Sequence, residues 1–377
     1  MSPELQPITE NPNQGLLVPP EYNVLGIVSP AYDCVVQKIV DETQQYIKEY
    51  KIQYALALEP AIHELIEYFP EWIMYFRCGT VPTNANTLVN LEGHIHYFQN
   101  LDIPVIYYID DAIFWENAGA PLKLMVNCDA IIVATDALKE FISGTGEFNL
   151  NFKQRPIHII KTHMDLPTFD MILLDQFSYL MDRSKYNILF TSQGRIGATM
   201  LYKIIKLMNE TPEKYRDVVF TIVSHQVANI RAAINGFRGI KKVYYEFMPL
   251  IEFYALCGMS NLILAPGDKE DLRYFLDEER QGLWLDSKSC VKYTLAGAAK
   301  IPIIASPIRE YKQAITPGVT GFIATTPEEW VSYIDKLHED SDLSAKIGRA
   351  ARKDVNDNWH IYNRTKEFAK IYNELKR

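Results

Sequence analysis

Short apolar runs alternate with segments of helical periodicity from Tyr22 onward, the pattern of a parallel sheet covered by helices on both faces. Strands are predicted at Val24–Val28, Tyr54–Leu58, Trp72–Phe76, Pro104–Ile109, Ala130–Ala134 and His158–Lys161, with helices at Val35–Tyr50, Ala61–Tyr68, Thr87–Gln99 and Thr135–Ile142. The strand signal stops over Leu166–Lys185, which reads as a helical connection. A second series then opens with strands at Asn187–Thr191, Val218–Val223, Lys242–Phe247, Leu262–Ala265, Ile301–Ala305 and Gly321–Ala324. Its helices are expected at Ala198–Asn209, Val227–Asn235, Leu250–Met259, Ser289–Ala299, Pro327–Glu339, Ser341–Asn356 and His360–Leu375. Two such halves in tandem put their strand ends across a cleft from each other, and a ligand belongs there. The expectation is an α/β protein with an N-terminal Rossmann-like domain over 1–175 and a second over 176–356. The apolar stripe of Ile361, Phe368, Ile371 and Tyr372 in 357–377 suits a helix that crosses back to the first domain or one that packs on its own.

Composition narrows the function without naming it. At 377 residues, 48% hydrophobic, the chain can bury two cores. A net charge of −9 and no extended basic run count against a nucleic-acid surface. The five cysteines are odd in number and never form a C-x-x-C pair, which fits buried thiols in a reducing compartment and no zinc site. No apolar run reaches ~18 residues, so no membrane span is expected. Residues 1–15 show no basic flank leading into an apolar stretch, so no signal peptide is expected either. These features point to the cytoplasm, with a peripheral place at a membrane left open.

The chemistry concentrates at strand ends. Ser287–Ser306 reads as a helix turning into a buried strand, and Lys288 and Lys292 lie one turn apart beside the helix start. Unpaired N–H groups and the positive end of the dipole would there face an anion such as a diphosphate. An ordinary helix–strand unit with two solvated lysines gives the same spacing. After Asn187–Ser192 comes a glycine-containing loop in which Gly194 lets a backbone approach phosphate and Arg195 can bridge two phosphate oxygens. Asp110 and Asp111 end the strand 104–109, a costly place for two carboxylates unless they bond or react; a helix cap is the plainer alternative. Asp129 reads as a turn residue, Thr135 as a helix cap, His163 as a packed or surface histidine, and the charge-rich 267–287 as a solvated flap.

In order and spacing, several segments resemble family 4 glycosyltransferases with the GT-B fold. They are Lys292 with Pro302-Ile303-Ile304-Ala305-Ser306, Gly318-Val319-Thr320-Gly321-Phe322, Pro327-Glu328-Glu329-Trp330, and Ser341–Val355 with Trp359. In the first half, IYYIDDAIFW (106–115), NCDAIIVATDALKEFI (127–142) and the retained Asp165 continue the likeness. The resemblance implies a metal-independent transferase without a cofactor, moving a sugar from a nucleoside-diphosphate sugar to a hydroxyl on a glycan, lipid-linked or other acceptor. It implies catalytic roles for Asp110, Asp111, Arg195 and Lys292. Donor contacts would come from Gly194, Arg195, Lys288 and Lys292, with Met248, Pro249 and Leu250 at the base. Three departures stand out: Ser287 and Leu295 occupy the places of two glutamates, and Met200 that of a lysine. A degenerate binding or scaffold subunit, or an epimerase of the same fold, therefore remains an alternative.

Overall fold

The computed structural model describes residues 22–28, 52–58, 72–76, 85–110, 119–143, 155–192, 196–224, 226–246, 248–273 and 278–375. The helices expected at 35–50 and 61–68 lie outside the described residues.

The first half builds one six-stranded parallel sheet. Its strands are β1 (Tyr22–Val28), β2 (Ile52–Leu58), β3 (Trp72–Phe76), β4 (Val105–Ile109), β5 (Ala130–Val133) and β6 (Ile157–Ile159). They lie in the order β2-β1-β3-β4-β5-β6. Every residue of β4 and β5 is buried, as expected of strands covered on both faces. The helices described here are α1 (Ala85–Gln99), α2 (Gly119–Asn127) and α3 (Asp136–Ile142). Thr135 caps α3 by accepting the Leu138 N–H, and Asp129 fixes a turn by accepting N–H groups from Val105 and Gln99. Both match the sequence reading.

The connection is a short α4 (Leu166–Asp170) followed by a 3-10 turn at Leu174–Leu180. Asp165 serves as the α4 N-cap through Thr168.

The second half runs β7 (Tyr186–Ser192), α5 (Ala198–Met208), β8 (Val218–Ser224), α6 (Val227–Ile234), β9 (Lys241–Tyr245), α7 (Leu250–Met259) and β10 (Leu262–Ala265). It continues with α8 (Glu278–Asp286), α9 (Val291–Ala299), β11 (Ile303–Ala305), α10 (Arg309–Ala314), β12 (Phe322–Ile323), α11 (Pro327–Glu339) and α12 (Ser341–Asn358). The sheet order is β12-β11-β10-β7-β8-β9, so the chain reverses direction across the sheet between β7 and β10. That reversal leaves a crevice outside the carboxyl ends of those two strands. α9 packs on α12 at van der Waals distance because Gly297 has no Cβ; one added there would lie 2.9 Å from the Ala351 carbonyl oxygen.

α13 (Ile361–Leu375) belongs spatially to the first sheet. Met164, just past β6, exchanges backbone bonds with Trp359 and Ile361 (2.8 and 3.1 Å), and Phe368 packs on Tyr108 of β4 at 6.4 Å between ring centres. Further bonds close the seam between the halves. Arg309 makes a two-pronged bond to Glu140 (2.6 Å each), Lys161 approaches Asp136 and Glu310, and Arg352 meets Asp170.

Candidate active site at the strand ends of the second sheet

The exits of β7, β10 and β11 are laced together. The Gly267 N–H donates to Ser306 Oγ at 2.9 Å, which ties the turn after β10 to the end of β11. Gly197, at the start of α5, has φ +81°, and a Cβ there would sit 2.5 Å from the Pro266 carbonyl oxygen. Only glycine fits that contact, which brings the loop after β7 against the turn after β10.

Two helix N-termini open at this floor, and they differ in what fills them. At α5, the Asp271 carboxylate accepts from the Gly197 N–H (2.6 Å), the Thr199 N–H (3.1 Å) and the Thr199 hydroxyl (2.5 Å). Burial raises its carboxyl above the ordinary value and these bonds offset part of the rise, so the α5 terminus is already occupied by a side chain of the protein. The α9 terminus is lined by cations. Lys288 and Lys292 flank the helix start, with the Lys288 ammonium 3.7 Å from the centre of the Trp284 ring and the Lys292 ammonium 5.9 Å from that of Phe190. Burial, and then the neighbouring charge of Lys288, lower the Lys292 pKa to about 8. An anion placed between them would regain part of that cost.

The floor of α9 also meets the first half, where the Thr135 hydroxyl donates to the Ser287 carbonyl at 3.3 Å across the seam. Thus the β5–α3 turn of one sheet and the α9 approach of the other touch beside the two lysines. A groove of about 410 Å³ between α5 and α6 is lined by Thr199, Tyr202, Asn229 and Asp271, without either lysine.

The remaining sequence candidates fall as follows. Asp110 stands half-buried directly after β4. Asp111, Gly194 and Arg195 lie outside the described residues. At the start of α7, Pro249 and Leu250 are exposed, whereas the Met248 side chain is committed to the core. His163 is packed, 5% exposed, as expected. Met200 is buried in the second core, Leu295 is 3% exposed in the first, and the Ser287 hydroxyl is spent on the Leu283 carbonyl. None of the three supplies an acid or a cation.

The reading of 267–287 as a solvated flap is corrected. Asp271, Leu272, Gln281, Trp284 and Leu285 are all buried, and α8 presents Trp284 and Leu285 to the core. Asp271 holds the α5 terminus, a role that the sequence did not reveal. Its partners lie more than seventy positions away, and its neighbours Lys269, Glu270 and Arg273 disguise it as one of a solvated series. Among the described residues no group of three or more His, Cys, Asp or Glu is arranged to hold a metal ion, and no helix is long and apolar enough to cross a membrane.

No protein-family model matches the chain, and no curated protein matches it. Solved structures do. The chain is similar to HepE from Anabaena in complex with UDP and glucose (13% identity, 94% of this chain and 100% of that one, TM-score 0.64). It is also similar to the sucrose-phosphate synthase of Thermosynechococcus elongatus (10% identity, 94% and 99%, TM-score 0.68). A third likeness is to UDP-GlcNAc 2-epimerase from Neisseria meningitidis bound to UDP-GlcNAc (13% identity, 94% and 99%, TM-score 0.54). Two parallel six-stranded sheets, matched over nearly the full length of the chain, give it the GT-B fold.

Proposed function

We propose that the chain is a glycosyltransferase that moves a sugar from a nucleoside-diphosphate sugar to an acceptor hydroxyl, in line with the family 4 resemblance of its motifs. The observation that supports this most is the pair Lys288 and Lys292 at the N-terminus of α9, beside the chain reversal of the second sheet and against the seam with the first. As the bond from the anomeric carbon to the diphosphate breaks, negative charge develops on the leaving oxygen. The ammonium of Lys292, that of Lys288, the N–H groups of α9 and the guanidinium of Arg195 stabilise it there without a divalent ion. The acceptor hydroxyl gives its proton to Asp110 or Asp111 at the end of β4. Pro249 and Leu250 form the rim for the base. The buried thiols of Cys128, Cys257 and Cys290, none of them in a disulfide, support a cytoplasmic setting.

The test is a melting-temperature screen with UDP, GDP and TDP, followed by turnover of the matching sugar nucleotides with and without candidate acceptors. Binding of one nucleotide raises the melting temperature by mass action, and Lys292→Met abolishes the rise. If no nucleotide shifts the melting temperature, the reading fails. A second reading, a catalytically silent subunit of the same fold, is favoured by the burial of Ser287 and Leu295 in packing roles where acids would be needed. It predicts nucleotide binding with no release of sugar. Conversion of the donor in the absence of acceptor would instead mark an epimerase.

A further inference from the structure

The first sheet carries a charge that the reaction above does not use. Arg364, the fourth residue of α13, is 4% exposed. One of its terminal nitrogens donates to the Tyr108 hydroxyl at 3.0 Å, and the guanidinium lies 5.7 Å from the centre of the Tyr108 ring and 5.3 Å from that of Phe368. Its Nε is buried without any hydrogen-bond partner, and no carboxylate pairs with it among the described residues. The acid that feels its charge is Glu367, on the exposed side of the same helix.

A guanidinium cannot shed its proton, so burying it unpaired is costly unless something else completes it. Its place is informative. Tyr108 is two residues short of Asp110 at the carboxyl end of β4, and His163 lies at the exit of β6. The His163 Nδ1 donates to the Lys161 carbonyl, and burial with the charge of Arg364 lowers its pKa to about 3, so it stays neutral and does not compete as a second cation. Three elements thus bring one buried guanidinium, its Nε without a partner, to the carboxyl edge of the first sheet. The planar fork of a guanidinium matches an oxyanion in shape and charge.

We propose that Arg364 seats an oxyanion, a carboxylate or phosphate carried by the acceptor, at the carboxyl edge of the first sheet. Calling its carrier the acceptor rests on the transferase reading; the seat itself does not.

Calorimetric titration of the full chain with inorganic phosphate, and separately with acetate, tests it. Lys292→Met removes the competing α9 seat and keeps the binding, whereas adding Arg364→Gln weakens it at least about tenfold. Phosphate binding alone selects a phosphorylated acceptor and acetate binding alone an acidic sugar; either upholds the seat. Because Arg364→Gln could disturb folding, a second measurement leaves Arg364 in place. In Lys292→Met protein, the His163 ring resonances, identified by their loss in His163→Gln, shift as phosphate or acetate neutralises the charge beside them. Unmoved resonances, or equal binding with and without Arg364, would overturn the proposal. If the seat binds while no nucleotide does, the transferase reading falls alone; the reverse result removes only the seat.

Discussion

Lys292 keeps its charge against a desolvation cost, and the cost gives it a readable pH dependence. Its pKa of about 8 lies below the ordinary lysine value, so the ammonium is lost as pH rises through 8, and the proposed diphosphate seat loses a charge with it. Nucleotide affinity is expected to fall about tenfold between pH 7 and pH 9, measured by titration calorimetry, and to become flat with pH in Lys292→Met. The sign is opposite for the free protein. The unfolded chain binds the proton more tightly, so this group adds stability as pH climbs from 8 toward the ordinary lysine value. Gly197 offers a second test. Gly197→Ala places a methyl group at 2.5 Å from the Pro266 oxygen on a left-handed backbone, and should lower unfolding stability by about 1–3 kcal/mol in denaturant titrations. The place of Lys292 at a helix start was legible from the sequence, because two lysines one turn apart after a polar loop are a local pattern. Asp271 was not, because its work is done across the fold on Gly197 and Thr199, and no spacing encodes that.

Among the elements, strands were the easiest to read, since burial on both faces leaves near-continuous apolar runs such as β4, β5 and β8. Short helices were missed where composition misleads. α8 reads as EERQGLWLD, mostly polar, yet Trp284 and Leu285 anchor it in the core. α2 and α10, of 9 and 6 residues, are too short for periodicity to register. The tight turn expected between α9 and β11 takes the form of an abrupt cap: Lys300 adopts φ 60°, in the left-handed region that a lysine enters at a cost. Lys300→Gly should therefore raise stability by about 1 kcal/mol, seen as an increased melting temperature with nucleotide binding unchanged.

At the scale of the whole molecule, the tandem halves were legible from the repeat of strand and helix signals, but the seam was not. Glu140 and Arg309 belong to helix surfaces that look solvated, and only their meeting across 169 residues makes them partners. The Arg309 bond holds the Glu140 carboxyl below its ordinary value, so its contribution is present above that value and is lost as pH falls through the lowered one. Since Glu140 is more than half exposed, Glu140→Gln should cost only about 0.5–1 kcal/mol, with the difference from the parent shrinking in high salt.

The return of α13 to the first sheet also sets an order of events during synthesis. Tyr108 and Met164 emerge from the ribosome roughly two hundred residues or more before the helix that covers them, so the early half must wait, partly bare, while the later sheet closes. Until Phe368 and Arg364 arrive, that exposed face is a natural target for chaperones.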